Sequence, residues 1–253
     1  MPVQVYGLVR AGHPDPRDLT GVGEPPAAVR LVRSGEVAAV VSDATATELH
    51  ETDAVAYLDV LTALLRDGPV LPVRFGTVAP DEDAVREEIL DPDAEFVAGR
   101  LDELDGLVEL RVEVSADEEA EIRRVVADSP RLRDLVARAR GNGQALDLRI
   151  GIGEEISHAL DARRAEINDR IVDRLGPLAV SYGVRLSDDV TRSSHAFLVA
   201  AERLRDFDEA LEQVRAELGE DYDLEYVGPI PAFDFIGGEI RPPSEAPAGR
   251  WSW

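Results

Sequence analysis

The sequence predicts an α+β protein in two domains, and three observations carry that prediction. Two stretches alternate apolar and polar residues with the period of a half-buried strand: Val108, Leu110, Val112 and Val114 against Glu109, Arg111 and Glu113, and then Leu178, Val180, Tyr182, Val184 and Leu186. Leu204, Phe207, Leu211, Val214 and Leu218 advance by steps of three and four, as the buried stripe of an amphipathic helix does. A chain of 253 residues with 44% hydrophobic content has enough apolar side chain for two cores of ordinary size.

In chain order, Val3–Val9 reads as a strand and His13–Pro26 as a loop rich in Pro, Gly and Asp. Ala28–Val32 and Val37–Ser42 form two strands about the turn signal Ser34-Gly35. Asp53–Arg66 is a helix with Thr52 or Asp53 as N-cap and Gly68-Pro69 as its stop. Val55, Ala56, Tyr57, Leu58, Val60, Leu61, Leu64 and Leu65 make it apolar on most faces, so it is either buried or presented to a partner. The apolar run Val70–Val78 follows, then helical stretches at Asp81–Leu90 and Ala94–Leu104.

Leu107–Val114 is a strand with one wet face, and Ser115 to Glu118 makes a capping box for a helix through Ala127. Ser129-Pro130 opens another helix, with serine as cap and proline in the first turn. After Gly141–Gly143 a long helix runs to Leu175, where Gly176-Pro177 ends it. The strand of Leu178–Leu186, a strand at Ser194–Ala200, the helix of Leu204–Leu218 closed by Gly219, and a strand at Tyr222–Val227 complete the chain. Strand, helices, strand, strand, helix, strand is the βαββαβ order of ferredoxin-like domains. The expected organisation is therefore an N-terminal mixed α/β domain over 1–104, a ferredoxin-like domain with extra helices over 105–236, and a flexible C-terminal tail over 237–253 unless Trp251 and Trp253 dock it.

Charge narrows the partners. Asp and Glu number 51 against 27 basic residues, all arginine, for a formal charge of −24. So negative a field repels phosphate backbones and anionic headgroups, which argues against nucleic acid and lipid membrane as partners. A saline cytoplasm and a GC-rich coding bias both fit an acidic, lysine-free composition. The absence of cysteine removes disulfides, thiol nucleophiles and zinc–thiolate sites. No basic segment precedes an apolar stretch at the N-terminus, and no run of about 18 apolar residues occurs, so the expectation is a soluble, cytoplasmic protein.

Catalytic signatures are lacking. Glu48, His50, Glu51 and Asp53 cluster, but their spacing matches no metal-ligand pattern, and a solvated loop accounts for them. His158 and His195 read as surface or packed residues. Gly141-Asn142-Gly143 and Gly151-Ile152-Gly153 lack the strand before and the basic group nearby that a phosphate cradle requires, and the second pair interrupts or kinks a helix. Asp188-Asp189 reads as a hairpin loop, and Arg163-Arg164 as a basic spot in local ion pairs. No nucleophile elbow or acid pair is present, so the expectation is a non-enzymatic protein without cofactor or metal.

Two segments remain, VLPVRFGTV (Val70–Val78) and LEYVGPIPAFDFI (Leu224–Ile236). Each is apolar and strand-like but broken by proline and glycine where a plain strand would continue. Arg74 in the first is costly unless it meets a buried acid or carbonyls, or instead a ligand. In the second, Ile230, Phe233 and Phe235 either close a core or anchor a partner, two readings of equal weight. Together the segments resemble the signature of the gas vesicle protein F/L family. Its first motif, Leu-Pro-Val/Leu-Arg-Phe-Gly-Thr, is matched by Leu71, Pro72, Val73, Arg74, Phe75, Gly76 and Thr77. Its second, Gly-Pro-Trp-Pro-Pro-Tyr-x-Phe, is matched by Gly228, Pro229, Pro231 and Phe235, with Ile230, Ala232 and Phe233 in place of Trp, Pro and Tyr.

The resemblance implies an accessory protein of gas vesicle formation that binds the hydrophobic major shell protein and other accessory proteins. It would keep the shell protein soluble, nucleate assembly or become a minor vesicle component, some relatives having been placed on the gas-facing side. A −24 chain suits a carrier better than a gas-facing surface, because charge demands water. The helix Val55–Leu65 with Phe75 is the contact surface this reading suggests. The alternative is a ferredoxin-like module sensing a small ligand or metal, which requires a polar pocket.

Overall fold

Eight consecutive residues, VQVYGLVR, form strand β1 (Val3–Arg10) at the centre of the first sheet of the computed structural model, which describes residues 1–45, 50–141, 146–186, 189 and 191–237. Seven of the eight are buried, the pattern of a strand covered on both faces. On one side β1 pairs antiparallel with β3 (Val37–Asp43), from Val3 opposite Asp43 to Arg10 opposite Val37, and β3 pairs with β2 (Arg30–Ser34) across the expected Ser34-Gly35 turn. On its other side β1 meets two fragments, β4 (Leu71–Pro72) and β5 (Val78–Ala79). Helix α1 (Glu51–Leu64) buries Tyr57, Val60, Leu61 and Leu64 in one cluster with Tyr6, Val9 and Val40. Its cap differs from expectation: His50 is the N-cap, and Asp53 sits one turn in, accepting the His50 N–H at 2.7 Å. The stretch expected as one helix from Asp81 is a single α turn, α2 (Glu82–Ala84), continued by a π-helical turn over Val85–Leu90, before α3 (Ala94–Glu103).

The second sheet has the order β7-β8-β6-β9. Its strands are β6 (Leu107–Ala116), β7 (Ser181–Leu186), β8 (Arg192–Ala200) and β9 (Tyr222–Ile230). Between β6 and β7 run α4 (Glu118–Asp128), α5 (Pro130–Gly141) and α6 (Leu146–Leu175), and between β8 and β9 lies α7 (Leu204–Leu218). Phe207, Leu211, Val214 and Leu218 of α7 are buried, as their spacing predicts, with Gly219 as C-cap. The Phe207 ring meets Phe197 of β8 edge-on at 5.3 Å. Ser129 caps α5 through a 3.2 Å bond from the Leu132 N–H. The box expected at Ser115 is replaced: β6 continues through Ala116, and Asp117 caps α4 by accepting the Ala120 N–H at 2.7 Å. Gly151 and Gly153 do not interrupt α6, which is helical throughout its 30 residues. Proline at position 229 is tolerated because β9 is an edge strand.

The chain divides into two units. One comprises Met1–Leu110, Leu198–Glu202 and residues 228–237, and the other Arg111–Phe197 and Arg203–Val227. No described helix is long and apolar enough to cross a membrane. The tail with Trp251 and Trp253, together with Glu48, Asn142, Gly143 and Asp188, lies outside the described residues.

Candidate functional site

The first motif is a strand folded out of its sheet. Leu71 and Pro72 pair with Leu8 and Gly7, and Val78 and Ala79 pair with Gln4 and Val3, so the same strand receives both ends of the segment. Between them the Val73 N–H donates to the Tyr6 carbonyl at 2.9 Å, and the Val5 N–H donates to the Thr77 carbonyl at 2.9 Å. Arg74 to Thr77 therefore leave the sheet as a tight turn, closed by the Thr77 N–H on the Arg74 carbonyl at 3.1 Å and by the Thr77 hydroxyl on the same oxygen at 2.7 Å. Gly76 has φ +85°, the left-handed value that the third position of a type II turn demands.

Aromatic side chains hold the base of this turn. The Tyr57 hydroxyl donates to the Val73 carbonyl. Its ring lies between Tyr6, stacked at 6.0 Å, and Phe75, edge-on at 5.3 Å. The Tyr6 hydroxyl accepts the Val22 N–H at 2.7 Å and shares a 2.8 Å hydrogen bond with Ser42. Burial pushes both phenols above the ordinary tyrosine range, so neither supplies a proton near neutral pH. Phe75 is only half-buried against this cluster.

The second motif comes to the same core. Ile230, Pro231, Ala232 and Phe235 are buried, and Phe233 packs, half-buried, against the cluster that contains Tyr6, Tyr57 and Leu61. Two buried charged groups pin the segment. Glu109 on β6, 0% exposed, accepts the Asp234 N–H at 2.8 Å, and Arg100 on α3, 7% exposed, donates to the Phe235 carbonyl. Gly228 lies against the same strand: a β-carbon there would fall 2.7 Å from Leu110 Cδ2, and its φ of +149° is strained for any other residue.

These positions correct several expectations. Ile230 and Phe235 are core, not exposed anchors. Arg74 is exposed and, among the described residues, its guanidinium has neither the buried acid nor the carbonyl expected of it, because the turn carries it outward. Glu109 does not face water as the alternation predicts, since the returning turn at 233–235 covers it. Helix α1 serves two roles: Tyr57, Val60, Leu61 and Leu64 are core, whereas Val55 is 61% exposed and Leu58 half-buried. Glu109, Arg100 and the Tyr57 hydroxyl went unnoticed in the sequence, which offers no local sign that these polar groups meet chain up to 135 residues away.

The second unit holds the other polar cluster. Glu121 of α4, 4% exposed, receives Arg163 at 2.8 Å, Arg124 at 2.8 Å and the Tyr222 hydroxyl at 3.0 Å. Arg163 is thus paired across to α4, with Glu121 and Asp128, and not, among the described residues, along its own helix as expected, while Arg164 makes the expected local pair with Asp161 at 2.9 Å. The hydrogen bond with Tyr222 raises the Arg163 pKa further, and burial raises that of Tyr222. The cavity beside this cluster, lined by Glu121, Arg164, Ser193 and Tyr222, has about 20 Å³, room for one water molecule. His50 and His158 are exposed and His195 is buried, and no group of three metal-ligating side chains converges among the described residues.

The sequence matches the family model described as gas vesicle synthesis protein GvpL/GvpF over residues 3–237. It is 35% identical over 240 residues to gas vesicle protein F of Streptomyces sp. (strain CB03234), covering 93% of this chain and 100% of that one. Gas vesicle protein F of Dolichospermum flosaquae is 22% identical over 233 residues, with 89% and 94% covered. The fold is similar to the crystal structures of GvpF from Microcystis aeruginosa (TM-score 0.78, 19% identity) and from Anabaena sp. PCC7120 (TM-score 0.79, 21% identity), each covering 93% of this chain and 98% of the other.

Proposed function

The chain belongs to the gas vesicle synthesis protein GvpL/GvpF family, and from that premise we propose that it is a non-enzymatic accessory of gas vesicle formation that binds the hydrophobic shell protein and hands it to assembly. The observation that carries the reading is the folded-out turn of the first motif. It is fixed from both sides by β1 and by Tyr57, yet it displays an exposed arginine beside a half-buried phenylalanine. A rigid backbone that offers a guanidinium unpaired among the described residues and an aromatic edge has already met the ordering cost of binding. Val55 of α1 adds exposed apolar area on the unit that carries the turn. A soluble chain of charge −24 keeps such a complex dispersed through mutual repulsion.

In this reading Leu71, Pro72, Gly76, Gly228, Pro229 and Pro231 build the frame, Ile230, Phe233 and Phe235 seal the core behind it, and Arg74 and Phe75 meet the partner. The second sheet with α4–α7 is read as ferredoxin-like, supported by its strand order β7-β8-β6-β9, which is the split βαβ order of that fold. It is proposed as the C-terminal domain from about residue 105, with vesicle-associated accessory proteins as further partners.

The test is light scattering of shell protein diluted from denaturant, with and without equimolar amounts of this chain. Suppressed aggregation and a co-eluting complex are expected, and both should be lost in a Val55→Asp, Arg74→Glu variant that keeps the wild-type circular dichroism spectrum. Unchanged scattering with the wild-type chain would sink direct shell binding.

A further inference from the structure

We propose that the α5–α6 helical hairpin of one copy docks on the α3 surface of a second copy, giving a head-to-tail self-association. Helix α5 runs against the charge of the molecule. In a chain of charge −24, Pro130–Gly141 contains four arginines and one aspartate, and Arg149 follows near the start of α6. Arg133, Arg138 and Arg149 are exposed and have no ion-pair partner among the described residues. Over 133–139 and 148–159 no residue is buried, so this stretch of hairpin keeps only partial cover for its apolar side chains. Leu146 and Ile150, one turn apart on α6, are 68% and 52% exposed.

The first unit carries the complementary surface. The π-helical turn Val85–Leu90 and α3 present Glu87, Glu88, Asp93 and Glu95, all exposed and likewise without an ion pair among the described residues. Beside Glu95 stands Phe96, 60% exposed, a large apolar ring next to these carboxylates. Three arginines, unpaired among the described residues, with two aliphatic side chains match likewise unpaired carboxylates with one aromatic ring, in charge and in apolar content. The occupant fitted by either surface is therefore the other surface on a second copy. The two patches differ, so the contact is heterologous and repeats from copy to copy instead of pairing two equal faces. Net repulsion between copies is long-range and screened within about 8 Å at physiological salt, whereas the contact charges act at shorter distance.

The experiment is sedimentation velocity of the full chain over a wide concentration range at about 0.15 M and about 0.5 M salt. Mass should rise with concentration at the lower salt and fall back towards the monomer at the higher. An arm-reversed variant, Arg133→Glu with Arg138→Glu and Arg149→Glu, and a face-reversed variant, Glu87→Arg with Glu88→Arg and Glu95→Arg, should each self-associate roughly tenfold more weakly or not at all. Mixed in equal amounts they should associate again, because every arm then finds a face of opposite sign. The two variants change net charge by equal and opposite amounts, so the mixture keeps the wild-type mean and bulk charge does not explain the rescue. A wild-type chain that stays monomeric throughout, an arm-reversed variant that assembles as the wild type does, or a mixture that stays monomeric would each overturn the proposal.

Discussion

Replacing His195 by leucine should flatten the response of stability to acid between about pH 6.5 and pH 4, the span set by its burial. His195 lies on β8 with 0% exposure, its ring stacked on Phe197 at 6.2 Å, with Ser193 Oγ 3.4 Å from Nε2 and no partner for Nδ1 among the described residues. Burial lowers its pKa from 6.5 to about 4. On acidification the unfolded chain takes up a proton near the upper value, and the folded chain not until the lower one. Between them the unfolded state holds more protons, so stability rises with pH and is lost as pH falls. At about 1.4 kcal/mol per pH unit, the loss from about pH 7.5 to about pH 4.5 is between about 2 and 3 kcal/mol. Carboxylates titrate in the same window and weaken the repulsion within this acidic chain, but they do so in wild type and variant alike. The difference between the two therefore isolates the histidine. Urea midpoints at both pH values, with equal slopes, give that difference. Parallel pH profiles, agreeing within about 0.5 kcal/mol, would refute the argument that a neutral imidazole is trapped in the core.

Three other substitutions probe the frame. Gly228→Ala forces a β-carbon to 2.7 Å from Leu110 Cδ2 at φ +149° and should lower unfolding free energy by about 1–3 kcal/mol, whereas Gly237→Ala, in open space, should leave the urea midpoint unchanged. Tyr57→Phe removes the donor to the Val73 carbonyl and should cost about 1 kcal/mol. Amide exchange at Thr77, whose N–H closes the turn, should quicken in the same variant. Glu121→Ala strips Arg124 and Arg163 of a shared buried carboxylate. The expected loss in denaturant titration is about 2 kcal/mol, below that of a fully buried pair, because both arginine side chains keep roughly 30% exposure and can rehydrate.

Elements whose burial is decided within their own length were legible in the sequence. Helix α7 declared itself through Phe207, Leu211, Val214 and Leu218, the β2–β3 hairpin through Ser34-Gly35, and the end of α6 through Gly176-Pro177. What could not be read locally depends on chain that returns from far away. Alternation along β6 assigns Glu109 to water, and only the turn at Asp234, 125 residues later, buries it. Arg74 looked internal because its neighbours are apolar, yet Gly76 permits a turn that moves it out of the sheet. The α2 region failed for a different reason: its composition favours a helix but cannot tell α spacing from the π spacing of Val85–Leu90. At the two motifs, exposures were not legible: Arg74 is carried outward by the turn at Gly76, and Ile230 and Phe235 are buried where the chain returns.

The return of residues 228–237 to the first unit also bears on synthesis. The sheet β2-β3-β1-β4 and helix α1 leave the ribosome before Phe233 does, and the peptide groups held by Glu109 and Arg100 follow 125 and 135 residues behind those side chains. The first unit cannot complete its packing until residues 233–235 have been made, and until then its aromatic cluster stays partly open. A nascent chain that has not reached Phe233 thus carries an apolar opening that the later chain has closed. A premature stop after Val227 would harm the N-terminal half of the protein, far from the lesion in the gene.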